Sequence, residues 1–253
     1  MTISVKSWLE YINALKKVDT VATTRFAQYL GTHNITTQAE IDAMLEYAFG
    51  ISTKYGEAAA ELACEMFESV AKASGVAGVI AEPAATATMS EVAKQVIGTR
   101  KNSKNIDEIA SSVGRLVKMA NADTMLKNAS KYGAEFAWIP HGDTCAFCIM
   151  LASNGWRKQS KSAMNGNHAE HIHSRCDCNY AVRFNPDTKY QDYDPERYKK
   201  QYDDAEGDTW QEKLNSMRRE YYAENKEEIN EQKRSAYEKR VEKESSRAEE
   251  TFV

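Results

Sequence analysis

Trp138-Ile139-Pro140-His141-Gly142-Asp143-Thr144-Cys145-Ala146-Phe147-Cys148, answered by His168-Ala169-Glu170-His171-Ile172-His173-Ser174-Arg175-Cys176-Asp177-Cys178, decides how this chain is read. Four of its five cysteines and four of its five histidines fall between Trp138 and Cys178. Scattered placement would not gather soft ligands in this way. A C-x-x-C pair, a spacer and then H-x-x-C-x-C is the layout of a tetrahedral zinc site. Five residues compete for four positions: Cys145, Cys148, His173, Cys176 and Cys178. The favoured set is Cys145, Cys148 and His173 with one of the last two cysteines. His173 and Cys176 are spaced to reach one point from a single turn. Cys176 and Cys178 point the same way in an extended segment, with Asp177 outward, so the spacing does not choose between them. A filled Cys/His shell is structural rather than catalytic. Structural zinc contributes roughly 10–16 kcal/mol of apparent binding energy in small peptide modules, enough to hold a short hairpin with little core. Metal-free thiols, or disulfides formed outside the cell, are the competing readings.

The flanks of this arc frame it with strands. Ala134–Ile139 is short and aromatic and ends at Pro140, which reads as a strand. Ser153-Asn154-Gly155-Trp156 marks a turn, Asn165-Gly166-Asn167 an exposed loop, and Asn179–Phe184 a returning strand.

Upstream, the period is helical. Trp8, Ile12, Leu15, Ala22, Phe26 and Leu30 make one apolar stripe, punctuated by Gly31 and Asn34. Thr37-Gln38-Ala39-Glu40 is a capping box that opens a long second helix with Met44, Ala48, Ala59, Phe67 and Val70 on its buried face, stopped by Gly75. Glu82-Pro83-Ala84-Ala85-Thr86 is an extended linker, because Pro disfavours helix at the residue before it. Thr88 or Ser90 caps a short helix over Val92 and Val96, and Thr99–Lys104 reads as a polar loop. Ile106, Ile109, Val113, Leu116 and Ala120 form another stripe, and Asp123 is expected to cap a last short helix ending near Gly133.

Downstream, residues 186–209 are a Tyr- and Asp-rich connector. The tail 210–253 is almost entirely charge of both signs. Its i,i+4 pairings favour helix. Its sparse apolar positions (Leu214, Met217, Tyr221, Ile229, Tyr237, Val241) cannot bury a core alone, so it reads either as a projecting helix in need of a partner or as a partly disordered segment. The expected fold is mainly α: a helical domain over 1–133, a small α+β zinc-binding strand-turn-strand module over 134–185, the connector, and a long charged C-terminal helix.

Bulk composition narrows the function. With 253 residues, 42% hydrophobic and 28% charged, the chain can bury one substantial core or one core plus a small module. A net charge of -4 argues against a general nucleic-acid surface. No apolar run is long enough to span a membrane, and the amphipathic N-terminus lacks the apolar block of a signal peptide. A reducing cytoplasm is therefore expected, where clustered cysteines read as metal ligands. His141, His168 and His171 read as supporting or surface histidines near the site. Cys64 reads as a small buried hydrophobe. Arg218-Arg219, Lys233-Arg234 and Lys239-Arg240 would touch phosphate if the tail were a nucleic-acid arm, but glutamates interleave them.

Residues 136–184 resemble the zinc-binding core of the minor head proteins of tailed bacteriophages, the phage Mu protein F-like family. The resemblance rests on Phe136-Ala137-Trp138, Asp143, Cys145 and Cys148 with Leu151, then His173, Cys176 and Cys178, then Tyr180–Phe184. Asp177 departs from the basic residue common in that family between the last two cysteines. The resemblance covers about a fifth of the chain. It implies a low-copy virion structural protein assembled in the host cytoplasm and located in the capsid interior or at the portal vertex. Its partners would be the portal or major capsid protein, with contact to packaged DNA. It implies one structural zinc per chain, no catalysis, no small-molecule substrate and no membrane. The rival reading is a metal-dependent, HNH-like nuclease, in which His168 and His171 would serve as base and ligand. Against it, no histidine follows His173.

Overall fold

The computed structural model describes residues 5–141, 144–158, 178–190, 193–231, 233–235, 237–238 and 241. The fold is mainly helical with one small antiparallel sheet. Four helices, α1 (Val5–Thr32), α2 (Gln38–Ala73), α3 (Met89–Asn102) and α4 (Ile106–Tyr132), precede strand β1 (Glu135–Ile139). Helix α5 (Ala146–Ala152), strands β2 (Arg157–Lys158) and β3 (Asn179–Arg183), and helices α6 (Pro195–Asp203) and α7 (Trp210–Glu224) follow.

Local chemistry sets the helix ends. Thr37 and Glu40 form the expected capping box, with Thr37 accepting from the Glu40 N–H and the Glu40 carboxylate accepting from the Thr37 N–H at 2.7 Å. Thr88 caps α3 in the same way with Glu91. Gly133 ends α4 in the left-handed conformation, at φ +66°, that only glycine adopts without strain.

Helix α4 lies at the centre. It packs against α1, α2, α3 and both long strands, and is buried around most of its circumference between Ile109 and Ala129. The sequence shows one apolar stripe there, and the polar positions between the stripe residues are also inside. Each of these has a partner. Asn121 donates to the Ala59 carbonyl and accepts from the Tyr11 hydroxyl, both at 2.8 Å. Lys118 pairs with Asp19 of α1 at 3.2 Å, both side chains largely shielded. Gly114 makes this possible: a Cβ there would collide with the Asp19 carboxylate and the Thr23 hydroxyl.

Two helix-boundary expectations need correction. Residues Thr99–Asn102 continue α3 instead of forming a loop, because Arg100 and Lys101 in the last turn suit the negative helix end and packing of Val92 and Val96 holds the helix. Asp123 caps nothing. It sits within an unbroken α4, where burial of Ala122, Met125 and Leu126 overrides its preference for a cap.

The linker between α2 and α3 is a strap laid along α4. Tyr132, Asn128 and Thr124, spaced four apart on one face, meet alternate strap residues. Asn128 accepts from the Glu82 N–H and donates to the Glu82 carbonyl, each at 2.9 Å. Thr124 accepts from Ala84 N–H at 2.9 Å, and Tyr132 bonds both backbone groups of Ile80. The extended backbone that Pro83 enforces thus finds its polar partners on a helix side rather than in a sheet.

The sheet order is β2-β1-β3, all antiparallel, with Phe136 opposite Val182 and Trp138 opposite Tyr180. Trp138, Tyr180 and Val182 share one core cluster with Trp8 of α1, Phe67 of α2 and Met125 of α4. The hairpin is therefore built into the helical body's core.

The 186–209 stretch is not a bare connector. Asp194 caps α6, with Pro195 at its first position. The charged tail is also shorter as a continuous helix than expected. Helix α7 opens on a Thr209/Glu212 capping box and ends at Glu224, and helix resumes only after Asn225. Leu214 and Met217 are buried against α5 and α6, while Trp210, Tyr221 and Tyr222 stay exposed.

Candidate metal centre

The first thiol pair is mounted on α5. Cys145 is its N-cap residue and is exposed; Cys148, three residues on, is buried. In this arrangement the two side chains occupy the positions that face one another in a capping box, so both thiols can reach one point beside the first turn. The C-x-x-C spacing is thus spanned by the first turn of a helix.

Cys178 stands immediately before β3 and is buried. Strand alternation carried one residue back places it on the face of Tyr180 and Val182, which is also the face of Trp138. Trp138 and Tyr180 meet edge to face at 4.7 Å between ring centroids. Cys148 and Cys178 belong to the same buried cluster as these two rings. The Tyr180 hydroxyl is pushed up to about 12, by burial first and then by the Asp123 carboxylate, with Arg157 opposing.

One buried donor at this face is unsatisfied. The Trp138 indole Nε1 has no hydrogen-bond partner among the described residues. An orphaned N–H in a core costs about 1–3 kcal/mol, and a thiolate is a chemically suitable acceptor. Cys145 and Cys148 on α5 and Cys178 before β3 are soft donors of the kind a zinc site uses. They form a partial set. Among the described residues no three His, Cys, Asp or Glu side chains group closely enough to hold a metal ion. His173 and Cys176, with His168 and His171, lie outside the described residues.

The remaining cysteine behaves as expected. Cys64 is buried on α2, and burial followed by the nearby Glu61 and Glu68 pushes its thiol up to about 11, which suppresses the reactive thiolate.

Sequence reasoning missed the aromatic seam beside the site. Tyr11, Trp8, Tyr190, Trp156, Tyr193 and Tyr198 form successive ring contacts from α1 to α6, with centroid separations of 5.0 Å for Trp8–Tyr190 and 5.6 Å for Trp156–Tyr190. Tyr190 donates to the Val182 carbonyl at 2.8 Å, Tyr193 to the Ala152 carbonyl at 3.1 Å, and Arg183 stacks over Trp156 at 4.7 Å. The tyrosine richness of the connector was the available signal. Asp194-Pro195 could have revealed α6, since Asp at the cap and Pro at the first position is a helix start.

These features define a mainly helical protein whose core includes a thiol-bearing β-hairpin. The chain belongs to the VG15 protein family, a phage gene-product-15-like family whose model matches residues 2–205. The matched region takes in all four N-terminal helices, the hairpin, α5 and α6, and it stops before α7. No curated protein and no solved structure matches the chain. Among the described residues, no helix is long and apolar enough to cross a membrane.

Proposed function

We propose that this chain is a non-catalytic structural protein of the phage particle: a minor head protein at the portal vertex or capsid interior. The observation that carries this reading is membership of a phage family across residues 2–205. The resemblance of residues 136–184 to minor head proteins supports the finer assignment. The portal or major capsid protein is the proposed partner, with packaged DNA as a further contact.

The proposed cofactor is one structural zinc per chain, held by Cys145, Cys148, His173 and one of Cys176 and Cys178. When bound, zinc would cross-link the start of α5 to the segment entering β3, a link that no backbone ladder in the sheet makes. The residues have their own part in this. The α5 turn carries the first two thiols, and Cys178 stands in the hairpin core.

Proteomics of purified particles tests the assignment: the protein is expected at low copy, and its absence from virions would refute it. Elemental analysis of the purified chain is expected to give about one zinc per chain, retained through gel filtration.

A further inference from the structure

Along the C-terminal tail glutamates alternate with cations in sequence, and helical geometry separates them. Counted at about 100° per residue, Arg218, Arg219, Tyr222, Lys226 and Lys233 lie within about 60° of one line along the helix. Glu220, Glu224, Glu227, Glu228 and Glu231 lie within about 60° of the opposite line by the same count. The two faces stay in register past the end of α7. Asn225 donates to the Tyr221 carbonyl at 3.0 Å and Ile229 to the Asn225 carbonyl at 2.9 Å, so helical hydrogen bonding crosses the junction. Lys233 then stands over the Tyr222 ring, eleven residues back, at 5.7 Å. Eleven residues make about three full turns, so this contact places both side chains on one face.

The four cations of this stripe are exposed, and so is Tyr222. Arg218 donates to the Asn215 Oδ1 at 3.3 Å, and Asn215, Arg218, Arg219 and Tyr222 line one open surface hollow. The rest of the helix is engaged elsewhere. Leu214 and Met217 pack on α5 and α6, and Glu220 accepts from the Ser216 hydroxyl at 3.4 Å. Glu212, nearer the stripe, is folded back onto the Thr209 N–H at 2.9 Å. A helix is about 10–12 Å across, and the Debye length at physiological ionic strength is about 8 Å. A ligand lying on the stripe therefore feels its cations and is largely screened from the glutamates behind them. The net charge of -4 belongs to the whole chain and does not set the field at this face.

We infer that this stripe is a docking surface for duplex DNA, with Arg218, Arg219, Lys226 and Lys233 on backbone phosphates and Asn215 and Tyr222 donating beside them. Charge complementarity selects a polyanion. From Arg218 to Lys233 the stripe runs about 22 Å along the helix, long enough to meet several phosphates of one duplex. Contacts of this kind position the protein and carry no sequence information. An anionic membrane fits less well: a helix lying on a membrane needs a free apolar face, and Leu214 and Met217 are already covered by α5 and α6. The stripe lies beyond residue 205, where the family match ends, so family membership does not assign it. The inference deepens the particle reading proposed above and rests on it for the choice of duplex DNA.

The test measures binding of the full chain to a short labelled duplex of mixed sequence by fluorescence anisotropy across a salt series. For four phosphate contacts, log affinity is expected to fall against log salt with a slope of about -3 to -4. Arg218→Gln/Arg219→Gln should weaken binding at low salt at least about tenfold and flatten that slope by about 2. Arg218→Lys/Arg219→Lys should restore most of the affinity. Lys54→Gln/Lys101→Gln removes the same charge from exposed positions of α2 and α3 and should bind as the wild type does. Circular dichroism verifies that each variant, altered only at exposed side chains, keeps its helices. Equal weakening by the two Gln pairs would overturn the inference, as would tighter binding to a single strand of the same length, or binding to phosphatidylglycerol vesicles in place of duplex. A chain present in purified particles that ignores duplex DNA would overturn this surface and leave the particle reading standing. A chain that binds duplex through the stripe but is missing from particles would do the reverse.

Discussion

The helical body, α1 to α4 with the hairpin, and the α5–α7 region are both helical and both patterned, yet they are stabilised differently. The body surrounds α4 and buries large side chains completely, among them Phe26, Met44, Phe67 and Met125. Among the described residues the α5–α7 cluster has seven buried members, three of them alanines, and only three of the seven stand on the two-turn α5. Hydrophobic stabilisation follows the apolar area removed from water. The body therefore draws its stabilisation from a large core of its own, while the second region rests on a small cluster packed against α5.

The sharpest way to break this comparison is a large-to-small change in each region. Phe67→Ala should lower the unfolding free energy by about 3–5 kcal/mol and shift the whole denaturant transition. Leu214→Ala should leave that transition in place and speed hydrogen exchange only in α6 and α7. A global shift of similar size from Leu214→Ala would show that the two regions form one cooperative unit.

The next effect tests how the body tolerates charge inside it. Asp19→Ala removes one partner of the shielded Asp19–Lys118 pair and should cost about 3 kcal/mol, because the lysine keeps its charge without its nearest anion. Replacing both, as Asp19→Leu with Lys118→Met, should recover most of that loss in thermal unfolding.

Asn128→Ala comes next, at about 1–3 kcal/mol, since it strands both backbone groups of Glu82 on the strap. Faster exchange at residues 80–84, with α1 unaffected, is the expected signature.

The smallest effect is in pH. The Thr37 and Thr36 N–H groups donate to the Glu40 carboxylate and hold its pKa down to about 2 from 4.5. The folded pKa is depressed, so this stabilisation is fully present above about pH 4.5 and is lost as pH falls toward 2. Thermal scans across that window should show the loss, and Glu40→Gln should flatten this part of the profile.

The helix starts at Thr37–Glu40 and Thr88 were legible because there the chain itself satisfies the backbone, and the structure follows them. The strands flanking the thiols were legible from aromatic content and Pro140. The continuity of α4 through Asp123 was not, because local preference there points to a cap and only packing of Ala122, Met125 and Leu126 against α1, α2 and the hairpin reverses it. Nor was the role of Tyr190, whose hydroxyl reaches the Val182 carbonyl and whose ring meets Trp8 across most of the chain's length.

At the candidate site the division is similar. Residue identity and spacing alone established which donors are available: Cys145, Cys148, His173, Cys176 and Cys178. Tertiary structure settled where three of them stand, with Cys145 and Cys148 on a short helix and Cys178 in the shared core beside an unsatisfied Trp138 indole. Ligand chemistry is a property of side chains and their intervals, and so is written in one dimension. Which elements carry those candidate donors, and what packs against those elements in turn, depends on contacts between residues far apart in the chain, which local sequence does not encode.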